Sequence, residues 1–455
     1  MPSFWYPTAI AAATSVFFGL AGNPSIDDIA SVSRIDPQMP TYSATLTAAA
    51  NLELAAQPLS NRPDKEYFKQ AQALANEAVA AFQSARKASD DGLSYTRRER
   101  DLWQAALSSL ASIPQDSDLY DLASDKQAQY QQLLATAESK IAKADSAFLT
   151  QIIKEAGVRP NKVHITLCQI DNPKANIHSG PLKLLNSAHR NITAKTQVKS
   201  QINSEQCRHH QGDELLASPA SLIKLPVAIA LLQKAETEGI DLNQKITIDP
   251  GNFTENAEGA ELEVGKAYSL SEIMAHMIDR SDNIATNQLI DFIGRDRLAP
   301  ILEEMGYVDT YAGHKLAGNR VMPKDMGDRR NQSTTNDLTA MLVRTYSLQA
   351  PGEQALLQAL QTQKDRELGH QALQESGVQW LGEKTGQNRR VIGSALAMQV
   401  GLERYALTVA IDHSGDIQAV REIVSGIANY LNEQESLMVR HSLPLPANIT
   451  VAKLD

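Results

Sequence analysis

Three short polar motifs lie in order along this chain: Ser221-Leu222-Ile223-Lys224, Ser281-Asp282-Asn283 and Lys384-Thr385-Gly386. A serine hydroxyl is a weak nucleophile at neutral pH and needs a base in contact with it. Residues three apart on a helix share a face, so the Lys224 amine can reach the Ser221 hydroxyl if a helix begins near Ser221. Lys224 must be neutral to accept a proton, which requires a desolvated or positively charged pocket. The first motif therefore predicts a serine nucleophile activated by a lysine, with no histidine involved.

The second motif supplies groups that could serve this serine. Ser281 would carry a proton between Lys224 and a leaving nitrogen, and the Asn283 amide would hold both the lysine and a substrate carbonyl. Asp282 would fix the loop. The alternative is that Ser281 only caps the helix that follows, which is a common role for Ser, Asp and Asn.

The third motif falls at the end of a predicted strand. Lys384 would place a positive charge beside the nucleophile, Thr385 would donate to a substrate carboxylate, and Gly386 would let the substrate backbone approach closely. The N–H groups of Gln387 and Ser221 would form an oxyanion hole. The alternative is an ordinary strand end with an exposed lysine.

Each motif alone is weak, and the chain itself shows why. Ser84–Lys87 has the same Ser-x-x-Lys pattern in a helical region, where we interpret it as a solvated helix face. Ser221 differs in its context, because Pro219-Ala220 precede it and the strongly apolar run 225–232 follows it.

Taken together, the order, the spacing and the surrounding residues of the three motifs resemble class A β-lactamases and penicillin-binding proteins. The resemblance covers about residues 158–434. It implies a serine hydrolase of the Ser-x-x-Lys type whose catalytic residues are Ser221, Lys224 and Ser281. It also implies that Asn283 and residues 384–387 contact the substrate.

The chain departs from class A β-lactamases in one respect that bears on function. Those enzymes carry an essential glutamate, on a loop between the second and third motifs, that positions the water for hydrolysis of the acyl-enzyme. Residues 305–352 contain no glutamate, and His314-Lys315-Leu316 fall about where the family would place it. Acylation could then proceed while deacylation lacks its usual base.

In this departure the sequence is similar to a small set of D-alanyl-D-alanine peptidases with β-lactamase-like folds, including penicillin-binding protein A of cyanobacteria. The implied substrate is the peptide stem of peptidoglycan, with β-lactams as acylating inhibitors. Two alternatives stay open: a β-lactamase with a non-standard deacylation route, and a catalytically silent scaffold that binds cell wall.

The pattern along the chain predicts an α+β fold, an antiparallel five-stranded sheet flanked by helices and preceded by an all-α region. Helical periodicity fills 43–155, either as a spacer or as a module that binds a protein partner, and the hydrolase domain would span 156–434. The strand predictions are Val163–Ile170, Trp380–Thr385, Val391–Val400 and Tyr405–Ile411, with a turn at 387–390; residues 172–212 are predicted to be a polar surface excursion and 435–455 a tail.

The N-terminus and the cysteines bear on the compartment. Residues 1–24 are uncharged and largely apolar, which resembles a signal peptide or short membrane anchor although no Lys or Arg precedes the apolar run, and 25–42 is predicted to be a linker. A buried or frayed helix is the alternative. Cys168 and Cys207 could pair only in an oxidising compartment, and two reduced thiols are the alternative. We expect export to the periplasm or a membrane-anchored position facing the cell wall.

Composition excludes some functions. The net charge of −10 argues against a general nucleic-acid binder, because no broad basic face is implied. No recognised metal-ligand spacing and no phosphate-binding glycine loop occur, so we expect neither a metal nor another cofactor.

Overall fold

The computed structural model describes residues 63–88, 92–170, 206–255, 262–374, 376–434 and 437. Within these ranges, no helix is long and apolar enough to cross a membrane. The predicted N-terminal segment and linker lie outside the described residues, as does the tail apart from Leu437. The described residues form two compact units: one combines 63–83 with 102–131, and the other combines those of 84–101 with those from 132 onward.

The described part of the chain begins with three long helices: α1 (Pro63–Lys87), α2 (Gly92–Ala111) and α3 (Tyr120–Asp145). In the first unit, α1 buries an apolar stripe at helical spacing, consisting of Phe68, Ala71, Ala75, Ala78, Ala81 and Phe82. The Trp103 and Tyr130 rings contact each other at 4.9 Å between centroids. The Ser117 hydroxyl donates to the Asp64 carboxylate at 2.5 Å. This unit is therefore held mainly by small and aromatic side chains.

The described part of the predicted helical region ends in two separate helices. After α3 the chain turns at Ser146, and a separate helix α4 (Ala147–Glu155) follows. Its buried residues Leu149, Ile152 and Ile153 belong to the core of the sheet described below. The Ser84–Lys87 pattern lies in the last turn of α1, where none of the four residues is buried.

The remaining elements follow one another as β1 (Val163–Ile170), β2 (Cys207–His210), α5 (Lys224–Glu238), β3 (Lys245–Thr247), β4 (Ala267–Ser269), α6 (Leu270–Asp279), α7 (Asn283–Ile293), α8 (Arg295–Glu304), α9 (Thr335–Ser347), α10 (Glu353–Gln361), α11 (Gly369–Gln374), β5 (Gln379–Asn388), β6 (Val391–Val400), β7 (Glu403–Asp412) and α12 (Ile417–Glu433). Five of the strands form one antiparallel sheet in the order β2-β1-β7-β6-β5, and β3 pairs with β4 separately. The predicted fold class is confirmed.

The sheet separates two apolar layers, because successive side chains of a strand point to opposite faces. On β6, Ile392 and Leu396 lie in the cluster shared with α4, α11 and α12, while Val391 and Ala395 lie in the cluster shared with α5 to α10. β6 is buried along most of its length because helices cover both faces.

The structure corrects three local predictions. The polar excursion at 172–212 contains the strand β2, which pairs with β1. β5 continues to Asn388, so the predicted turn at 387–390 contracts to Arg389 and Arg390. Cys168 and Cys207 are direct cross-strand partners and form a disulfide, so the alternative of two reduced thiols is wrong.

Candidate active site

The predicted nucleophile lies on a tight turn that leads into a buried helix. Ala220–Ile223 form a single 3₁₀ turn and α5 begins at Lys224, so the helix starts three residues later than predicted but is continuous with the turn. Ala220 has a φ of 45°, in the left-handed region that a non-glycine residue adopts at an energetic cost. The turn places the Ser221 hydroxyl oxygen 3.1 Å from the Lys224 Nζ.

Lys224 Nζ has three further oxygen neighbours, all from the second motif. It lies 2.6 Å from the Ser281 carbonyl, 3.0 Å from the Ser281 hydroxyl and 2.8 Å from the Asn283 Oδ1. The structure therefore brings together the predicted catalytic residues and Asn283 around one amine.

The types of these four oxygens fix the proton arrangement of a neutral amine. The Ser281 carbonyl and the Asn283 Oδ1 can only accept, so they take the two N–H groups of a neutral lysine. Its lone pair is then left for a hydroxyl proton from Ser221 or Ser281. This is the geometry of a general base placed between a nucleophile and a proton carrier.

The electrostatics of the pocket favour that neutral form. The Lys224 side chain is fully buried. Burial lowers its pKa well below the ordinary value, the nearby positive charge of Lys384 lowers it further, and Asp282 opposes both effects. Burial and the charge of Lys384 therefore both favour the neutral form of Lys224 that a base requires.

The second motif is held by its middle residue. Asp282 is the N-cap of α7 and accepts from the Ala285 backbone N–H at 3.0 Å. Ser281 precedes the cap with a φ of 56°. The helix is therefore capped by Asp282, and the alternative in which Ser281 only caps the helix is wrong. The contact between Asp282 and Ala285 agrees with the expectation that Asp282 fixes the loop.

The third motif lies inside β5 and not at its end. Lys384 is fully buried, which excludes the alternative of an exposed lysine, and its Nζ donates to the Thr385 carbonyl at 2.9 Å. Burial lowers the pKa of Lys384 to about 8, against the opposing charges of Asp365, Glu383 and Asp279. Below that pH the amine is positively charged beside Lys224.

Gly386 lies in close contact with the turn that carries Ser221. A Cβ at this position would lie 2.8 Å from the Leu222 backbone nitrogen and 3.2 Å from the Pro219 carbonyl oxygen. Glycine therefore permits a close approach of the turn carrying Ser221, and the expected approach of a substrate backbone to Gly386 stays a prediction. Gln387 follows on the edge strand with an exposed side chain, and its part in an oxyanion hole stays a prediction.

Thr385 has a partner that the sequence did not suggest. Its hydroxyl donates to Asp365 Oδ2 at 2.7 Å. Thr385 is buried, whereas Asp365 is exposed in the segment between α10 and α11. Twenty positions separate the two residues and no local pattern connects them.

The loop between the second and third motifs is fastened from α7. The Asn287 side chain accepts from the Leu316 backbone N–H at 2.7 Å and donates to the Leu316 carbonyl at 3.0 Å. The neighbouring Lys315 forms an ion pair with Asp291 at 2.8 Å. Leu316, one of the three residues expected at the position of the family's glutamate, packs against the main core.

A second set of contacts anchors the chain leading into the Ser221 turn. The Asp412 carboxylate accepts from the Ala217 backbone N–H at 3.0 Å, and His164 Nε2 lies 3.3 Å from the same carboxylate. Asn388 Nδ2 donates to the Ser218 hydroxyl at 2.9 Å. The nucleophile turn is thus tied to β7, to β1 through His164, and to β5.

Fold and site together define a serine acyl-transfer protein of the Ser-x-x-Lys type. Residues 183–434, more than half of the chain, match the β-lactamase enzyme family, and the chain belongs to that family.

Proteins similar to this chain include two β-lactamases and PBP-A. A β-lactamase of Citrobacter koseri is 35% identical over 85 residues, which are 19% of this chain and only 29% of that relative's length. The β-lactamase OXY-1 of Klebsiella oxytoca is 23% identical over 232 residues, 49% of this chain and 78% of that relative. The solved structure of PBP-A has 19% identity and a TM-score of 0.47, covering 63% of this chain and 97% of its own.

Proposed function

We propose that this protein is a penicillin-binding serine D-alanyl-D-alanine peptidase that acts on peptidoglycan stem peptides through an acyl-enzyme at Ser221. Lys224 takes the hydroxyl proton as the Ser221 oxygen forms a bond to the substrate carbonyl carbon. As the carbon–nitrogen bond breaks, the proton passes through Ser281 to the leaving nitrogen. The acyl group then goes to water or to an amine, which gives carboxypeptidase or transpeptidase action respectively.

One observation carries the choice of a peptidase over a β-lactamase. The loop residue that Asn287 fastens is Leu316, and the segment 305–352 offers no glutamate to prime water. A β-lactam would then acylate Ser221 readily. The acyl-enzyme would be hydrolysed slowly, because deacylation needs a positioned base. That behaviour characterises a penicillin-binding protein.

The test is mass spectrometry of the intact protein after mixing with benzylpenicillin, alongside turnover of nitrocefin. A single, long-lived adduct that is absent from Ser221→Ala supports the proposal. Many nitrocefin turnovers per protein molecule would instead support the second candidate, a β-lactamase with a non-standard deacylation route, which the names of the matched relatives favour. No adduct under any condition would support a silent cell-wall-binding scaffold.

We further propose that the protein works outside the cytoplasm, in the periplasm or anchored to the membrane and facing the cell wall. The Cys168–Cys207 disulfide supports this location, since structural disulfides persist in oxidising compartments. Blocking free thiols in freshly lysed cells and mapping the cysteine peptides without reductant tests it. Recovery of both cysteines as blocked thiols would contradict an oxidising location.

A further inference from the structure

The turn that carries Ser221 is strained just before the nucleophile. Ala220 has a φ of 45°, which a residue with a Cβ adopts at an energetic cost. Strain of this kind persists only where the surrounding structure holds the backbone in place. The position of the Ser221 hydroxyl opposite Lys224 therefore depends on what fastens the chain that enters the turn.

A carboxylate at the end of a sheet strand fastens that chain. Both oxygens of Asp412, the last residue of β7, accept from the Ala217 backbone N–H, at 3.0 and 3.1 Å. Hydrogen bonds to an ionised acceptor are about twice as strong as those between neutral groups. Ala217 lies only three positions before the strained Ala220, so this contact fixes the start of the turn.

The Asp412 carboxylate is itself held from β1. His164 Nε2 lies 3.3 Å from Asp412 Oδ2, and His164 Nδ1 lies 3.0 Å from the Gln211 carbonyl oxygen. The carbonyl and an ionised carboxylate can only accept, so an imidazolium satisfies both contacts. The Cα partner of the buried His164 on β7 is Ala410, two residues before Asp412, and this register brings both side chains to the same face of the sheet.

Neutral contacts hold the residues on either side of Ala217. The Leu216 backbone N–H donates to the Ser333 carbonyl at 3.1 Å, and Asn388 Nδ2 donates to the Ser218 hydroxyl at 2.9 Å. The contact of Ala217 lies between these two and is the one of the three that involves a charge.

We infer that Asp412 is a positioning residue for acylation, whose carboxylate holds Ala217 and thereby keeps the Ser221 hydroxyl within reach of Lys224. The inference rests on the proposed function for its nucleophile and base, and it applies whether the acyl group later goes to water or to an amine. It assigns Asp412 no contact with the reacting atoms.

The experiment is single-turnover acylation of the full chain by benzylpenicillin, followed by mass spectrometry over a range of penicillin concentrations. It separates the fraction of protein that is labelled, the affinity of the non-covalent complex and the first-order rate of acylation within that complex. A residue that only stabilises the fold changes the labelled fraction, whereas a residue that positions Ser221 changes the rate.

Asp412→Ala should lower the first-order rate by about a hundredfold, the cost of displacing a reacting group by about 1 Å. The labelled fraction and the affinity should stay close to those of the wild type. Asp412→Asn keeps an oxygen that can accept from Ala217 but loses the charge, so its rate should fall by about tenfold. This isosteric variant tests the inference even if Asp412→Ala fails to fold.

Asp241→Ala is the matched control. Asp241 is exposed, lies beyond the end of α5 opposite to Lys224, and accepts from the Asn243 backbone N–H at 2.9 Å. Its loss removes a contact of the same kind, between a carboxylate and a backbone N–H, without touching the chain that enters the Ser221 turn. It should leave the first-order rate of acylation unchanged.

Asp412 variants that are labelled at the wild-type rate, in full or in a smaller fraction of the protein, would overturn the inference while the adduct still upheld a nucleophilic Ser221. Equal slowing in the Asp241 variant would also overturn it, because the effect would then not depend on the Ser221 turn. Absence of any adduct in the wild-type protein would instead reject the proposed function, and this inference with it.

Discussion

Asn287 holds the backbone of Leu316 at both of its polar groups, accepting from the N–H at 2.7 Å and donating to the carbonyl at 3.0 Å. Asn287 lies on the helix that begins at Asn283, which itself contacts the amine of Lys224. One short helix thus contacts both Lys224, the proposed general base, and the loop that would have to supply a base for water. The two hydrogen bonds that set the position of Leu316 involve only its backbone and do not depend on its side chain.

Leu316→Glu should shorten the lifetime of the penicillin adduct at Ser221. The substitution adds a carboxylate at a backbone position that Asn287 already fixes, and a positioned general base accelerates water attack by about a hundredfold or more. Even an imperfect placement should give about tenfold faster loss of the adduct, followed by mass spectrometry. Leu316→Gln has the same shape without a base and should not shorten the lifetime; equal effects of the two variants would show that loop disturbance, and not a base, is responsible.

Lys384→Met should shift the pH dependence of acylation. Acylation requires neutral Lys224, so the rate falls as the pH drops through the pKa of that lysine. Burial and the positive charge of Lys384 both lower this pKa. Removing the neighbouring charge should raise this pKa and so move the acidic limb of the rate profile to higher pH.

The measurement is the rate of penicillin acylation between about pH 5 and pH 9, a window chosen around the pKa of about 8 of Lys384. Lys364→Met is the matched control, because that lysine is exposed and its loss changes the net charge equally. It should leave the limb in place. A Lys384 variant with a lower rate but an unmoved limb would contradict the electrostatic role.

Gly386→Ala should slow acylation by about a hundredfold, the cost of displacing a reacting group by about 1 Å. The added methyl group would lie 2.8 Å from the Leu222 nitrogen and would push the Ser221 turn away from β5. Gly415→Ala is the control, because its nearest neighbour, the end of the Gln387 side chain, is 3.9 Å away. Penicillin acylation rates compare the two, and a Gly386 variant as fast as the Gly415 variant would mean that the turn has room.

The elements that could be predicted are those whose residues follow a local pattern in the sequence. Val163–Ile170 alternates clearly and forms β1 with the predicted bounds. The capping box of Ser269 and Glu272, which begins α6, likewise depends only on residues close in sequence. β2 was missed because its four residues are too few and too polar to form a recognisable alternation.

The site was predictable in its members but not in its outer contacts. Asp365 reaches Thr385, and Asn287 reaches Leu316, across 20 and 29 positions that cross helix and loop boundaries. Only the tertiary fold sets those pairings. The contact of Gly386 with the Ser221 turn was missed for the same reason, because that turn comes from a distant part of the chain.

His164 should stabilise the protein in a pH-dependent way. Burial alone would lower its pKa, but the hydrogen bonds to Asp412 and to the Gln211 carbonyl outweigh burial and raise it. A histidine whose folded pKa is raised contributes stability that is fully present below its unfolded value of about 6.5 and is lost as the pH rises through the folded pKa. The melting temperature of His164→Gln should therefore fall furthest below the wild-type value near pH 5, by an amount equivalent to about 1 kcal/mol, and approach it near pH 8.5. His413→Asn, at an exposed histidine with a φ of 53° that asparagine tolerates, should show no such dependence. A deficit in His164→Gln that is constant across this range would mean that His164 contributes by packing and neutral hydrogen bonds alone, with no charged pair behind the Ser221 turn.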